Sequence, residues 1–210
     1  MKYIFLDFNG TIINDVQLCL DLLNEILRSQ GKRELNIEEY KNVFTFPVKK
    51  YYEAAGVDFS IESFESLAQK FILKYQPASM HCGLYEGLIE TVKLLKEKGY
   101  HFVILSASEK NNLLEQCTHY GLIPYFDAIL GIDNIHAASK VDIALGYLKK
   151  EGIEGKDILF VGDTLHDLEV AKRLGAECFL VSCGHQSVEV LSQGNTRIIG
   201  SVAELSQILE

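Results

Sequence analysis

Residues 3–12 read Tyr3-Ile4-Phe5-Leu6-Asp7-Phe8-Asn9-Gly10-Thr11-Ile12. Four apolar or aromatic residues run without a polar break and stop at an acid, and an Asn-Gly-Thr turn sequence follows. A strand with one wet face would alternate apolar and polar residues, so an unbroken run predicts a strand covered on both faces. Phe102 to Leu105 and Ile158 to Val161 repeat the pattern, and Ala128 to Leu130, Cys178 to Val181 and Arg197 to Ile199 are further β-rich runs. Helical patterns lie between them over Leu88 to Lys98, Glu109 to Tyr120, Lys140 to Glu151 and His166 to Leu174. Each is followed by a glycine (Gly99, Gly121, Gly152, Gly175), the residue most at ease where a helix ends. Strand and helix alternating through short joins predict an α/β fold, a doubly wound, Rossmann-like parallel sheet.

Residues 15–82 interrupt this alternation. Val16 to Ser29 has Leu20, Leu23 and Leu27 on one helical face, and helical patterns recur around Ile37 to Val43, Val48 to Ala55 and Ile61 to Tyr75. The reading is a core of residues 1–14 and 83–210 with a helical insertion at 15–82, hinged at Asn14-Asp15 and near Cys82-Gly83. The 210 residues suffice for that arrangement, and 48% hydrophobic with 23% charged residues is ordinary for a globular chain. A net charge of −9 argues against nucleic acid or anionic membrane as a partner, since both need a basic face. Five scattered cysteines (Cys19, Cys82, Cys117, Cys178, Cys183) with no C-x-x-C suit reduced thiols in the cytoplasm. The apolar run at MKYIFLDFNG is too short for a signal peptide, and no stretch has the length of a membrane span.

In open α/β sheets, ligands sit outside the carboxyl ends of the strands. Asp7 stands at such an end, with Gly10 able to turn sharply and Thr11 offering a hydroxyl. Taken singly, Asp7 is best read as a turn or helix cap. The second long strand ends in Ser106-Ala107-Ser108, where Ser106 could cap the next helix or present its hydroxyl to an anion. The run from Ile158 ends in Gly162-Asp163-Thr164-Leu165-His166-Asp167. Asp163 and Asp167, packed against Asp7, would repel one another unless a cation lay between them, and an oxygen-only set of this kind suits Mg²⁺.

Together these motifs resemble the haloacid dehalogenase superfamily, in its phosphatase branch with a helical cap inserted after the first strand. The phosphoglycolate phosphatases are the subgroup most similar in architecture. The family's D-x-D-G-T motif matches DFNGTI from Asp7 except at its third position. Its apolar strand ending in Ser or Thr matches VILSAS at Ser106, its lysine near a helix start matches Lys140 in HAASKVDIAL, and G-D-x-x-x-D matches GDTLHD at Asp163 and Asp167. The resemblance implies a hydrolase acting on a small phosphorylated metabolite. Asp7 would attack phosphorus to form an aspartyl-phosphate. Mg²⁺ would be held by Asp7, the carbonyl of Asn9, Asp163 and, directly or through water, Asp167. Ser106, Lys140 and the N–H groups around Gly10, Thr11 and Ala107 would bind phosphoryl oxygens.

Asn9 departs from the pattern. The family's phosphatases carry an acid/base Asp there, and an amide cannot exchange a proton at neutral pH. Slow turnover, substrates with good leaving groups such as acyl phosphates, another acid such as His166 or a cap residue, or a non-catalytic sensor or scaffold that binds a phosphorylated ligand all fit that change. A C–P hydrolase using a cap lysine is a further alternative, with Lys49 and Lys50 as candidates. The same lysines could instead meet an anionic substrate or simply be solvated. His185 follows the fifth strand at the same sheet edge and reads as a loop residue.

Overall fold

In the computed structural model, which describes residues 2–132 and 139–209, six strands form one all-parallel sheet. They are β1 (Tyr3–Leu6), β2 (His101–Glu109), β3 (Ala128–Ile132), β4 (Ile158–Gly162), β5 (Glu177–Val181) and β6 (Arg197–Ile199), in the order β3-β2-β1-β4-β5-β6. The α/β, doubly wound expectation holds. Strand β1 pairs with β2 on one side and β4 on the other, Leu6 lying opposite both Ile104 and Val161. The order reverses at β1, so the crevice at the carboxyl ends of β1 and β4 is where such a sheet accepts a ligand.

Side chains alternate across the sheet. Ile4, Leu6, Ile104 and Val161 pack with Leu88, Val92 and Leu95 of α5 (Leu88–Glu97) on one face. Phe5, Val103, Leu105 and Phe160 pack on the other face with α7 (Lys140–Glu151) and α8 (Leu165–Leu174). Helix α8 ends at Gly175, whose φ of 70° is the left-handed conformation that a side chain would resist. Strand β2 extends past its expected end at Leu105 to Glu109, because its ladder to β3 slips register between those residues and pairing resumes at Ile132.

Between β1 and β2 lie α1 (Val16–Ser29), α2 (Ile37–Val43), α3 (Val48–Ala54) and α4 (Phe64–Ser79), with no strand of the sheet among these described residues. Leu20, Leu23 and Leu27 of α1 pack with Tyr40, Tyr51, Tyr52 and Leu67 into a core of their own. The two ends of this segment are held side by side. The Asn14 N–H donates to the Gly83 carbonyl (3.1 Å) and the Tyr85 N–H to the Ile12 carbonyl (3.1 Å). Helix α6 (Lys110–His119) follows β2, and α9 (Val188–Leu191) and α10 (Leu205–Ile208) are short. No helix among the described residues is long and apolar enough to cross a membrane.

Phe5 is fully buried at the centre of the sheet, its ring edge-on to Tyr147 at 6.1 Å. Phe5→Ala should lower unfolding free energy by about 3–5 kcal/mol. Denaturant unfolding measures it, and a loss below about 1 kcal/mol would contradict the packing described.

Candidate active site

Strand β1 delivers Asp7 and β4 delivers Asp163 to the same point, and the first turn of α8 adds Asp167. One carboxylate oxygen from each lies within 4.8 Å of the others. Gly10, at φ 72°, makes room: a Cβ there would fall 2.3 Å from an Asp163 oxygen, as would one at Gly184. The turn after β1 therefore needs glycine for its backbone angle and for the space it leaves to Asp163.

Lys140, at the start of α7, is the buried cation of this cluster. Its ammonium donates to Asp7 Oδ1 (2.5 Å) and Asp167 Oδ1 (2.7 Å). Asp167 also accepts from the N–H (3.0 Å) and hydroxyl (2.7 Å) of Thr164 through Oδ2 and completes a capping box on α8. Capping and site membership are thus the same arrangement of Asp167. Asp163 accepts from the His185 N–H (2.6 Å). The residues before Ser139 in the HAASKVDIAL stretch lie outside the described residues.

Burial raises all three carboxyls, and their neighbours then separate them. Burial dominates at Asp163, pushing it up to about 8, with Asp167 and Asp7 adding to the rise and His185 opposing it. At Asp7 burial is offset in part by Lys140, leaving it at about 6. At Asp167 the Lys140 charge and the hydrogen bonds from Lys140 and Thr164 overcome burial and hold the carboxyl below its ordinary range. Burial would lower Lys140, but Asp167 and Asp7 raise it above an ordinary lysine. One ammonium thus serves two carboxylates and leaves Asp163 without a full countercharge. A divalent cation fits this oxygen-only donor set, with Asp7, Asp163 and Asp167 as the residues able to hold it.

A second buried set adjoins the first. Asn9 Nδ2 donates to Asp15 Oδ2 (2.9 Å) and reaches the Tyr75 hydroxyl (2.5 Å), and Asn9 Oδ1 accepts from the Ser108 hydroxyl (3.1 Å). Tyr75 donates to Asp15 Oδ2 (2.6 Å), and the Gly10 N–H donates to Asp15 Oδ1 (2.9 Å). His185 Nε2 lies 3.3 Å from Asp15 Oδ1, and its Nδ1 meets the Tyr40 hydroxyl at 2.7 Å. Burial works to raise Asp15, yet His185, Tyr75 and Asn9 hold it below the usual carboxylate range. Burial opposes the charged His185, and Asp15 reverses that and raises it.

Asp7, Asn9, Ala107, Lys140, Asp163 and Asp167 all line one cavity of about 330 Å³ closed over by α2, α3 and α4. Ser106, buried within β2, joins through Ser108, and the Thr11 hydroxyl is buried without a hydrogen-bond partner among the described residues. Lys49 and Lys50 do not line the cavity. They are exposed on the outer side of α3, with the Lys49 ammonium 5.6 Å from the Phe59 ring centre, because Tyr51 and Tyr52 take the inward face. Their placement gives a lysine-based C–P hydrolysis no support. His166 lines the cavity beside Phe46. Asp15, Tyr40 and Tyr75, which sequence reasoning leaves out of the site, also line this cavity, and Asp15 reads in sequence as part of a hinge. A depression of about 430 Å³ between α1 and α4 is larger but holds no such cluster.

The raised carboxyls set a pH dependence. Asp163, at about 8 in the fold against 3.8 ordinarily, binds a proton in the folded state that the unfolded chain has released. Its contribution is complete below 3.8 and lost as pH rises through about 8, and Asp7 adds the same sign up to about 6. With divalent cations chelated, the melting temperature should fall from about pH 5 to about pH 9. Asp163→Asn should flatten that fall in thermal scans; a melting temperature that rises over the range in the unsubstituted protein would contradict the assignment.

Comparisons with known proteins bear on the fold and the family. The phosphoglycolate phosphatase 1 of Pseudomonas aeruginosa is 24% identical over 97% of this chain and 78% of its own length. The phosphoglycolate phosphatase of Vibrio vulnificus is 23% identical over 100% of this chain and 95% of its own. The structure of a haloacid dehalogenase-like family hydrolase from Streptococcus pneumoniae superposes with a TM-score of 0.83 at 16% identity, over 100% of this chain and 99% of its own. The family model for haloacid dehalogenase-like hydrolases matches residues 3–181. The chain belongs to the haloacid dehalogenase-like hydrolase family.

Proposed function

We propose that the protein is a Mg²⁺-dependent phosphomonoesterase acting on a small phosphorylated metabolite, with Asp7 as its nucleophile. The observation that carries this is the cluster of Asp7, Asp163 and Asp167 around Lys140, opening on a cavity at the sheet's switch point. The relatives named as phosphoglycolate phosphatases support the reaction class. Asp7 is 8% exposed against 1% for Asp163 and 2% for Asp167, so it is the carboxylate best placed to meet a substrate.

The roles follow from the contacts. Lys140 grips Asp7 Oδ1, orients the carboxylate and favours its ionised, attacking form. Asp7 attacks phosphorus and becomes an aspartyl-phosphate as the bond from phosphorus to the ester oxygen breaks, and the departing oxygen keeps the electron pair and takes its proton from solvent. Ser106, the Ala107 N–H and the charge of Lys140 would stabilise the phosphoryl oxygens, whereas the Gly10 N–H is taken by Asp15 and the Thr11 N–H by the Phe8 carbonyl. Asp7, Asp163, Asp167 and the Asn9 carbonyl would hold Mg²⁺, which when bound supplies positive charge between the attacking carboxylate and the anionic phosphoryl group. Asn9 can orient the water of the second step but cannot take its proton. The helices of residues 15–82 act as a cap over the site, keeping bulk water out. Its closed position is supported by the Gln186 side chain donating to the Phe44 carbonyl (2.8 Å) and Lys41 to the Cys183 carbonyl (3.3 Å).

Calorimetric titration should detect one Mg²⁺ site that Asp163→Ala abolishes; equal affinity in the two proteins would remove the site. Asp7→Asn should abolish hydrolysis of every phosphate ester. Asn9→Asp should raise turnover of alkyl phosphates by about tenfold or more. The new carboxyl would face Asp15, 2.9 Å from the present amide nitrogen, and that repulsion would help it retain a proton to donate. Steady-state kinetics with no gain on any ester would show that the amide is not what limits the rate.

A further inference from the structure

The cavity above Asp7 is walled by rings. Phe44, Phe46, Tyr51, Tyr52, Phe71 and Tyr75 line it. Phe44 stacks on the His185 ring at 4.7 Å, Phe46 lies 4.8 Å from the His166 ring, and Phe71 stacks on Tyr75 at 5.5 Å. Among the described lining residues there is no arginine, and the one lysine, Lys140, is already bound to Asp7 and Asp167. Lys41 turns its ammonium to the Cys183 carbonyl. Of the two histidines among the described lining residues, His185 is held by Tyr40 and Asp15, and His166 lies 3.7 Å from Glu169. A carboxylate on the substrate would lose its water here and find no free lysine or arginine among the described lining residues. A flat, uncharged ring would find faces and edges to pack against.

Asn9 supports the same conclusion independently. Its amide is committed to Asp15, Tyr75 and Ser108 and carries no transferable proton. An aliphatic alkoxide leaves poorly without protonation, whereas a phenolate spreads its charge over the ring and leaves unaided. A cavity of about 330 Å³ has room for one such ring beside the phosphoryl group.

Resting on the phosphatase reading above, we propose that the substrate is the phosphate monoester of an uncharged aromatic alcohol, and that the carboxylated ester phosphoglycolate is a poor one. An Asp7 oxygen bonds to phosphorus as the bond from phosphorus to the aryl oxygen breaks. The phenolate leaves with the electron pair and takes a proton from solvent. Water then attacks the aspartyl-phosphate, releasing inorganic phosphate and the Asp7 carboxylate, and the proton it gives up balances the one taken by the phenolate.

The test uses the full chain with Mg²⁺. Phenyl phosphate should exceed 4-carboxyphenyl phosphate in kcat/KM by at least about tenfold, although the carboxylated phenol is the slightly better leaving group, and should exceed 2-phosphoglycolate by more. Equal rates would overturn the inference and leave the phosphatase reading standing. Ile72 lines the cavity and is 48% exposed, so Ile72→Arg can be accommodated and should reverse the preference towards the carboxylated ester. An unchanged ratio would show that the alcohol does not sit here and would also overturn it. Binding of benzylphosphonate and phosphonoacetate, measured by calorimetry, decides the matter without turnover. Benzylphosphonate tighter by about tenfold or more sustains the aromatic site even if no ester is hydrolysed, the outcome that would sink the phosphatase reading instead. Equal or weaker binding overturns the inference.

Discussion

Three buried carboxylates share a single buried ammonium, and much of the molecule is arranged around that constraint. The switch in strand order at β1 brings Asp7 and Asp163 to neighbouring strand ends. The capping box of α8 turns Asp167 towards them, and α7 begins with Lys140 buried between. Two glycines, Gly10 and Gly184, leave the space that Asp163 fills. Lys140 contacts two of the acids but carries the charge to balance one. The unbalanced charge shows in Asp163, pushed up to about 8 by burial and its acidic neighbours. A site with surplus negative charge and oxygen donors has a physical demand for a cation, and on the proposed reading that demand is what makes an acidic protein able to receive a phosphate.

The same logic extends to the helical segment. Asp15 is fully buried and would be costly alone. It is held by Asn9, Tyr75, the Gly10 N–H and His185, and His185 in turn by Tyr40. Tyr40 and Tyr75 belong to α2 and α4, so the aromatic core of the insertion also completes the hydrogen bonding of the β1 turn. Packing of the helices and order at the turn are therefore one energetic unit, and the amide at position 9 is one of its members. A carboxylate in its place would face Asp15 directly.

What could be read from the sequence follows from what is local. Unbroken apolar runs mark β1, the first part of β2, and β4, and the glycines after Glu151 and Leu174 mark helix ends. The acids and serines at those strand ends are conspicuous because the chain turns there. Tertiary contacts hide the rest. Asp15 follows Asn14 in a polar pair that reads as a hinge, and nothing near it in sequence announces Tyr75, sixty residues on. Tyr40 and Tyr75 read as helix core residues, which they also are, and His185 reads as a loop residue because its partners come from elements far away in the chain. The pair Lys49-Lys50, in the helical insertion, reads in sequence as a candidate catalytic lysine or a pair of cations facing an anionic substrate. Their direction depended on which face of α3 its tyrosines would bury, and periodicity over seven residues does not decide that.

The central claim is that Asp7 accepts the phosphoryl group. The most direct measurement is acid-quenched mass spectrometry of the protein during turnover of phenyl phosphate with Mg²⁺, followed by peptide mapping. A phosphoryl group on Asp7, stable in acid and released by hydroxylamine, is the predicted result. Turnover with no such adduct, or with the phosphoryl group on any other residue, would contradict the account.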